Sequence, residues 1–346
     1  MKIGVLCSGG DAPGMNPCIR AIVRAGVAYG DEVVGVLRGY KGLLDEKFWG
    51  DDENETDPAK KCRPIGVRGV SGLTSRGGSI LNSSRCLRFM TPEGREKAVE
   101  TLEKYGFDAL VAIGGNGTLT GALELSKIWR GQVVGLPGTI DNDLLGTNYT
   151  IGFATATMTG VEAVDKLRDT AGSHDMMFLV EVMGRHCGDL AAYVALAGGC
   201  ELVAVPEVKT DPAKMVEKLK RFQELGKKSI IMIVAEGDDL GGAMSTMNAL
   251  KAAGSPYEMR TVTLGHVMRG GVPCPADRIL ATTLGYQAVE ALHRGASGVM
   301  VGEMDGKSVL NPLGVVIAER TDEDKVRVGA RNVTKLIDRI AGISDV

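Results

Sequence analysis

Two carboxylates, Asp141 and Asp143, stand two residues apart in the turn Pro137-Gly138-Thr139-Ile140-Asp141-Asn142-Asp143, directly after the apolar run Val133-Val134-Gly135-Leu136. One can serve as a general base and the other as a magnesium ligand, with the Thr139 hydroxyl beside them; phosphoryl transfer needs those roles. An acid-rich surface turn, or an Asp141 that caps a helix, accounts for the same residues equally well. Two glycine-rich turns, Ser8-Gly9-Gly10-Asp11-Ala12-Pro13-Gly14 and Gly114-Gly115-Asn116-Gly117-Thr118, each join an apolar run to a helical pattern. Bare backbone there lets amide groups approach an anion, and a helix N-terminus supplies the donors. Neither turn is GxxxxGK[ST] or GxGxxG. One Gly-Gly turn alone is only a tight connection; two of them beside an acidic turn favour phosphate. Arg85, Arg185, Arg260 and Arg269 all lie in or near turns between apolar runs. The guanidinium fork suits phosphate, although each arginine taken singly reads better as surface charge. His266 precedes Arg269 by three residues in Gly265-His266-Val267-Met268-Arg269-Gly270-Gly271, so both are placed to face one ligand. His174 and His293 have no such setting.

The elements that must carry these residues alternate between strand and helix. Residues 2–7 predict a strand, about 16–28 an amphipathic helix and 32–37 the next strand, a βαβ opening. Helices are expected at about 92–105, 160–170, 212–225, 277–294 and 330–341, and strands at 109–113, 133–136, 177–182, 201–205, 229–235 and 261–264. Residues 45–64, with the acidic run from Asp51, predict a surface excursion. Apolar strands alternating with helices indicate largely parallel sheets covered on both faces. Nearly every polar or glycine-rich motif follows a strand, the end at which open α/β sheets bind ligands.

Composition narrows the function classes. The chain has 346 residues, enough for two domains, and its 44% apolar and 24% charged content is that of a globular protein. Its 48 glycines cluster between apolar runs with no collagen-like period. Aromatics are only 4%, which argues against base-stacking platforms, and the net charge of −3 implies no pull toward nucleic acid or membrane. No stretch reaches the ~20 apolar residues of a membrane span, and the N-terminal run is too short for a signal peptide. Seven irregularly spaced cysteines without a CxxC pair read as reduced thiols of a cytoplasmic protein. The 15 methionines read as core filler.

Five stretches in register are similar to the signature set of the 6-phosphofructokinase family: Ser8–Asn16, Leu136–Asp143, Glu181–Leu190, Gly198–Glu207 and Leu264–Gly271. The resemblance covers nearly the whole chain. It implies two Rossmann-like three-layer α/β domains with mostly parallel sheets and an active-site cleft between them. The larger, nucleotide-binding domain would take 1–152 plus about 265–315, and the smaller, sugar-phosphate domain about 153–264 plus 316–346. The implied reaction moves a phosphoryl group from ATP, with Mg2+, to the 1-hydroxyl of fructose 6-phosphate in glycolysis. Asp141 would be the base, supported by Thr139, Asp143 and Arg185. Gly10, Arg85, Gly115, Asn116, Gly117, Thr118 and Gly121 would meet the nucleotide. Thr139, Asp141, Met183, Gly184, Arg185, Glu236, His266 and Arg269 would hold the sugar phosphate. Arg260 would reach a neighbouring subunit's site in a homotetramer. The metal would fall to Asp141, Asp143 and the position of Asn116.

The resemblance also bears on the donor. Pyrophosphate-dependent relatives tend to carry Asp at the position of Gly117 and Lys at that of Gly138; glycine at both resembles the ATP-dependent branch. Two positions depart from the family. Asn116 replaces an Asp that supports magnesium, and a neutral ligand weakens metal binding. Met176 replaces an arginine that crosses to the neighbour's sugar phosphate. These departures keep two alternatives in view, a pyrophosphate-dependent enzyme and a weakly active regulatory or sugar-phosphate-binding paralogue. Arg20, Arg24, Arg168, Glu201 and Lys227 match positions that bind nucleoside diphosphate or phosphoenolpyruvate in allosteric relatives, and read equally as ordinary surface charge.

Overall fold

The structure is a computed structural model that describes residues 1–50, 57–318 and 330–344. The acidic run at 51–56 therefore lies outside the described residues. The chain forms two compact units. Met1–Thr139, Leu144–Thr155 and the segment from Arg269 onward make the first; Ile140–Asp143, Ala156–Met268 and the C-terminal segment make the second.

Strand β1 (Lys2–Cys7), helix α1 (Met15–Tyr29) and strand β2 (Glu32–Val36) open the first unit. Short helices α2 (Tyr40–Leu44) and α3 (Pro58–Lys61) precede α4 (Pro92–Lys104), β3 (Ala109–Gly114), α5 (Asn116–Ile128), β4 (Gln132–Thr139) and the two-residue β5 (Ile151–Gly152). Helix α6 (Phe153–His174) begins in the first unit and continues as part of the second. There follow β6 (Met176–Val182), α7 (Asp189–Ala197), β7 (Leu202–Ala204), α8 (Pro212–Glu224), β8 (Ile230–Ala235), α9 (Gly242–Ala252) and β9 (Glu258–Thr263). The chain then returns to the first unit with α10 (Pro275–His293), the hairpin β10 (Val299–Met304) and β11 (Lys307–Pro312), and α11 (Leu313–Val316). Helix α12 (Ala330–Ser344) closes the described chain.

The first sheet runs β11-β10-β4-β3-β1-β2, with β5 added along β4. Its pairings are parallel except for the β10–β11 hairpin. The second sheet, β7-β8-β6-β9, is parallel throughout. β3 and β8 are buried at every residue, as strands covered on both faces must be. In the second unit, Val216, Leu219 and Phe222 of α8 pack on Met177, Leu179 and Met232 of the sheet.

Most expected elements appear with shifted ends. The helix expected at 160–170 extends over Phe153–His174, and the strand expected at 261 starts at Glu258. The β10–β11 hairpin, the short β5 and α9 are additions to the expected set. The excursion at 45–64 is partly structural. Phe48 is fully buried and bridges to Val36, and the amides of Leu37 and Trp49 donate to Lys47 O and Gly35 O on either side of it. An aromatic ring of that size wins a place in the core despite polar neighbours.

Helix starts follow local chemistry. Proline stands in the first turn of α4, α8 and α10, where a missing amide hydrogen costs nothing. Thr91 caps α4 by accepting from the Gly94 amide, and Asp211 caps α8 by accepting from Ala213 and Lys214. Replacing Asp211 with alanine should therefore lower the stability of the folded protein by about 1 kcal/mol, read as an earlier urea midpoint, with no change in secondary structure by circular dichroism.

Candidate active site

In the first unit, the phosphate-type loops are tied to each other through backbone. Ser8 N–H donates to Ile113 O at 3.1 Å, and the Thr118 hydroxyl donates to Ser8 O at 2.9 Å. A Cβ at Gly114 would fall 2.3 Å from the Thr118 hydroxyl and 2.6 Å from Ser8 O, so only glycine fits there. Gly9 N–H donates to Ser84 O, and the Ser84 hydroxyl donates to Arg38 O, which fixes the segment carrying the exposed Arg85 against the first loop. Helices α1 and α5 each start after a glycine, with no side-chain cap and no acidic residue in the first turn. At these starts Met15 N–H donates to Ala12 O and Thr118 N–H to Gly115 O, and the partial positive charge of a helix N-terminus favours an anion.

The glycines of this region divide by the space around them. An added Cβ at Gly117 meets nothing within 4 Å. One at Gly138 would lie 2.9 Å from Ile113 and 3.3 Å from Met15 and the Gly114 amide. Gly121 lies beneath the stacked rings of Tyr40 and Phe89, 3.9 Å apart, and a Cβ there would meet both. Its bareness thus serves ring packing. The Tyr40 hydroxyl donates to Thr118 O at 2.7 Å. Gly10 lies under the guanidinium of Arg269: a Cβ there would be 2.5 Å from Nη1. Arg269 is 9% exposed and donates to Asp11 O at 3.1 Å. A buried guanidinium needs acceptors, and the loop carbonyl supplies one. The structure therefore sets Arg269 on the first glycine loop, while His266, in the same turn of chain, is exposed.

In the second unit, the Asp141 carboxylate is 3% exposed and lies 3.6 Å from Arg185 Nε. Arg185 follows β6 in a left-handed backbone conformation, φ 53°, after Gly184 at φ 141°. For a long side chain that conformation costs energy and persists only when its surroundings hold it. Glu236, at the end of β8, does so: its Oε1 accepts from the amides of Gly184 at 3.2 Å and Arg185 at 2.9 Å. Gly237 completes the hold, since a Cβ there would be 1.7 Å from Arg185 O. Glu236, which the resemblance assigns to the sugar phosphate, thus has a backbone role as well. Glu207 accepts from Gly188 N–H at 2.7 Å, and burial raises its carboxyl above the usual range. Asn142, also left-handed at φ 51°, donates to Asp189 at 2.9 Å. Burial, and then the Asp189 carboxylate, push the Cys187 thiol up, so it is no nucleophile. Met183 is buried at the root of the loop.

The remaining predicted residues fall in two places. Arg260 is exposed on the edge strand β9 and pairs with Glu258 at 2.6 Å; Met176 stands opposite Glu258 in the register of β6 with β9. Arg168 donates to Gly198 O and Gly199 O and meets Glu201 at 3.3 Å, and Lys227 reaches the same Glu201 oxygen at 3.7 Å. Arg20 and Arg24, four residues apart on α1, belong to the first unit. Sequence reasoning gave no role to Asn16, which is buried and binds Arg76 O, Gly77 O and the Ile80 amide. A polar residue inside an apolar helix face was the signal available.

The family model described as Phosphofructokinase matches residues 2–292. The chain belongs to the phosphofructokinase family. It is 49% identical to "ATP-dependent 6-phosphofructokinase 1" of Thermus thermophilus, over 97% of this chain and 99% of that protein. A protein named ATP-dependent 6-phosphofructokinase from Clostridioides difficile is 47% identical, over 93% of this chain and 96% of the other. Among solved structures, phosphofructokinase from Saccharomyces cerevisiae matches with a TM-score of 0.84 and 32% identity over 98% of this chain. This chain spans about half the length of that yeast chain, 50% of it.

The Arg185 hold gives a direct test. Gly237→Ala forces the Arg185 backbone to move, an overpacking cost of about 1–3 kcal/mol. Catalytic efficiency should fall at least about tenfold while the protein stays folded by circular dichroism, because the arginine leaves Asp141.

Proposed function

We propose that this protein is an ATP-dependent 6-phosphofructokinase, transferring the γ-phosphoryl group of ATP to the 1-hydroxyl of fructose 6-phosphate. The observation that carries the reading is the pairing of a buried Asp141 with Arg185 in the turn that follows β4. The relatives of nearly equal length carry the same activity in their names. Asp141 takes the proton of the 1-hydroxyl as its oxygen attacks the γ-phosphorus. The Arg185 guanidinium stands beside that carboxylate and offers donors to the transferring group. The glycine loops that lead into α1 and α5 take the donor phosphates, and the bare backbone of Gly10 admits the Arg269 guanidinium beside them.

The donor set fits magnesium as an ion that arrives with ATP. Magnesium is usually held by one or two carboxylates plus substrate phosphates. Among the described residues, no three His, Cys, Asp or Glu side chains gather as a metal cage. Asp143 and Asp141 are the carboxylates in reach of the role, and Asn116, the first residue of α5, adds a neutral oxygen. The bound ion would neutralise charge on the β- and γ-phosphates.

The proposal extends to a cytoplasmic homotetramer with sites shared between subunits, supported by the exposure of Arg260 on an edge strand and by seven free cysteines. No helix among the described residues is long and apolar enough to cross a membrane. The Arg168–Glu201–Lys227 cluster supports an anionic effector site, to which Arg20 and Arg24 are the further candidates.

Initial rates with ATP or pyrophosphate decide the donor. The expected result is turnover with ATP and at least about a hundredfold less with pyrophosphate; the opposite preference overturns the reading. Gly117→Asp sharpens the test, because the open space at Gly117 admits the carboxylate without strain. Its charge then faces the donor phosphates, and efficiency with ATP should fall by about tenfold or more at unchanged thermal stability. A wild-type rate far below the usual kinase range of about 1–100 per second, restored by Asn116→Asp with Met176→Arg, would favour the regulatory paralogue.

A further inference from the structure

Asp277, in the first turn of α10, is 1% exposed and lies outside every residue so far given a chemical role. Its Oδ1 accepts from the Gly152 amide at 2.8 Å, and its Oδ2 accepts from the Thr155 amide at 2.7 Å and from the Thr155 hydroxyl. That hydroxyl in turn accepts from the Cys274 amide at 3.0 Å. Burial raises the Asp277 carboxyl, and these bonds oppose the rise. A carboxylate kept at such a cost is retained for what it organises.

Three functional segments of the first unit meet here. Gly152 pairs in register with Thr139, and Ile151 with Gly138, so the amide that Asp277 holds belongs to the strand that aligns the start of the acidic turn. The Thr150 hydroxyl adds a 2.6 Å bond to Thr139 O. Gly14, the end of the first glycine loop, packs on the same spot: a Cβ there would be 2.5 Å from Ile151 and 3.7 Å from the Asp277 Cβ. Cys274 ends the short segment that starts at Arg269.

We propose that Asp277 is a positioning residue for phosphoryl transfer: through Gly152 and the Thr155 hydroxyl it sets Thr139 and the Arg269-bearing segment in register, without touching substrate. Of the three segments, the two tied by hydrogen bonds serve the acceptor; the glycine loop, which serves the donor, meets Asp277 only by packing. The inference rests on the proposed function.

The test is steady-state kinetics of the full-length enzyme with ATP and fructose 6-phosphate. Thr155→Val removes the hydroxyl at constant size, Thr155→Ser keeps it, and Asp277→Asn keeps the shape while losing acceptor capacity. KM does not depend on the amount of folded enzyme, so it separates positioning from plain stability. Thr155→Val and Asp277→Asn should raise KM for fructose 6-phosphate at least about fivefold, with KM for ATP within about twofold, and Thr155→Ser should lie within about threefold of wild type. Unchanged KM values in whichever of Thr155→Val and Asp277→Asn folds, or a serine variant as impaired as the valine one, overturn the proposal. If neither folds, the serine variant decides: its KM for the sugar phosphate must stay near wild type. A wild type inactive with this substrate pair overturns the functional reading and the proposal with it.

Discussion

The end of β4 depends on a hydrogen bond from outside the strand. Thr150 donates its hydroxyl to Thr139 O, and two residues of β5 pair alongside Gly138 and Thr139. Without that lateral support the last two residues of β4 would be an edge, free to fray. A fraying strand cannot hold a base at a fixed distance from a hydroxyl, and misplacement by about 1 Å can cost a hundredfold in rate. Further along, Asn142 takes a left-handed backbone and donates to Asp189, so the turn is fixed after Asp141 as well as before it. Asp141 is thus flanked by residues that are themselves held in place.

Bare backbone has two distinct uses in this molecule. At Gly114, Gly138 and Gly237 the space is already filled, by Thr118, by Ile113 and Met15, and by Arg185 O respectively. Those glycines allow protein to approach protein. At Gly117, in the first turn of α5, an added Cβ meets nothing within 4 Å. The same residue type therefore closes a packed contact in one place and leaves open space in another, a difference that the residue type alone does not show.

This separation marks how far the sequence could be read. The alternation of strand and helix, the parallel sheets and the placement of motifs after strands were legible, because buried parallel strands leave continuous apolar runs. β5 was not, since two residues carry no period, yet it braces the catalytic turn. The hairpin β10–β11 was hidden because Lys307–Pro312 is mostly exposed or half-exposed on an edge and has little apolar alternation. Asp141 and Thr139 were legible as candidates for chemistry, while Arg185, taken singly, read as surface charge. The backbone role of Glu236 was not, because nothing in the chain order joins it to Gly184, 52 residues away. Gly121, a nucleotide contact by resemblance, lies against an aromatic stack whose two rings come from Tyr40 and Phe89, which the chain order does not reveal.

Arg185 is one of the long side chains held at positive φ, and the bonds that hold it are plain. Its left-handed backbone is unfavourable, and Glu236 offsets this with a carboxylate oxygen shared by two amides. Charge-assisted bonds of that kind are roughly twice as strong as neutral ones. The left-handed conformation places the side chain with its Nε 3.6 Å from the Asp141 carboxylate. The carboxylate of Glu236 therefore acts on Asp141 only through intermediates: it holds a backbone, and that backbone aims a guanidinium at the carboxylate.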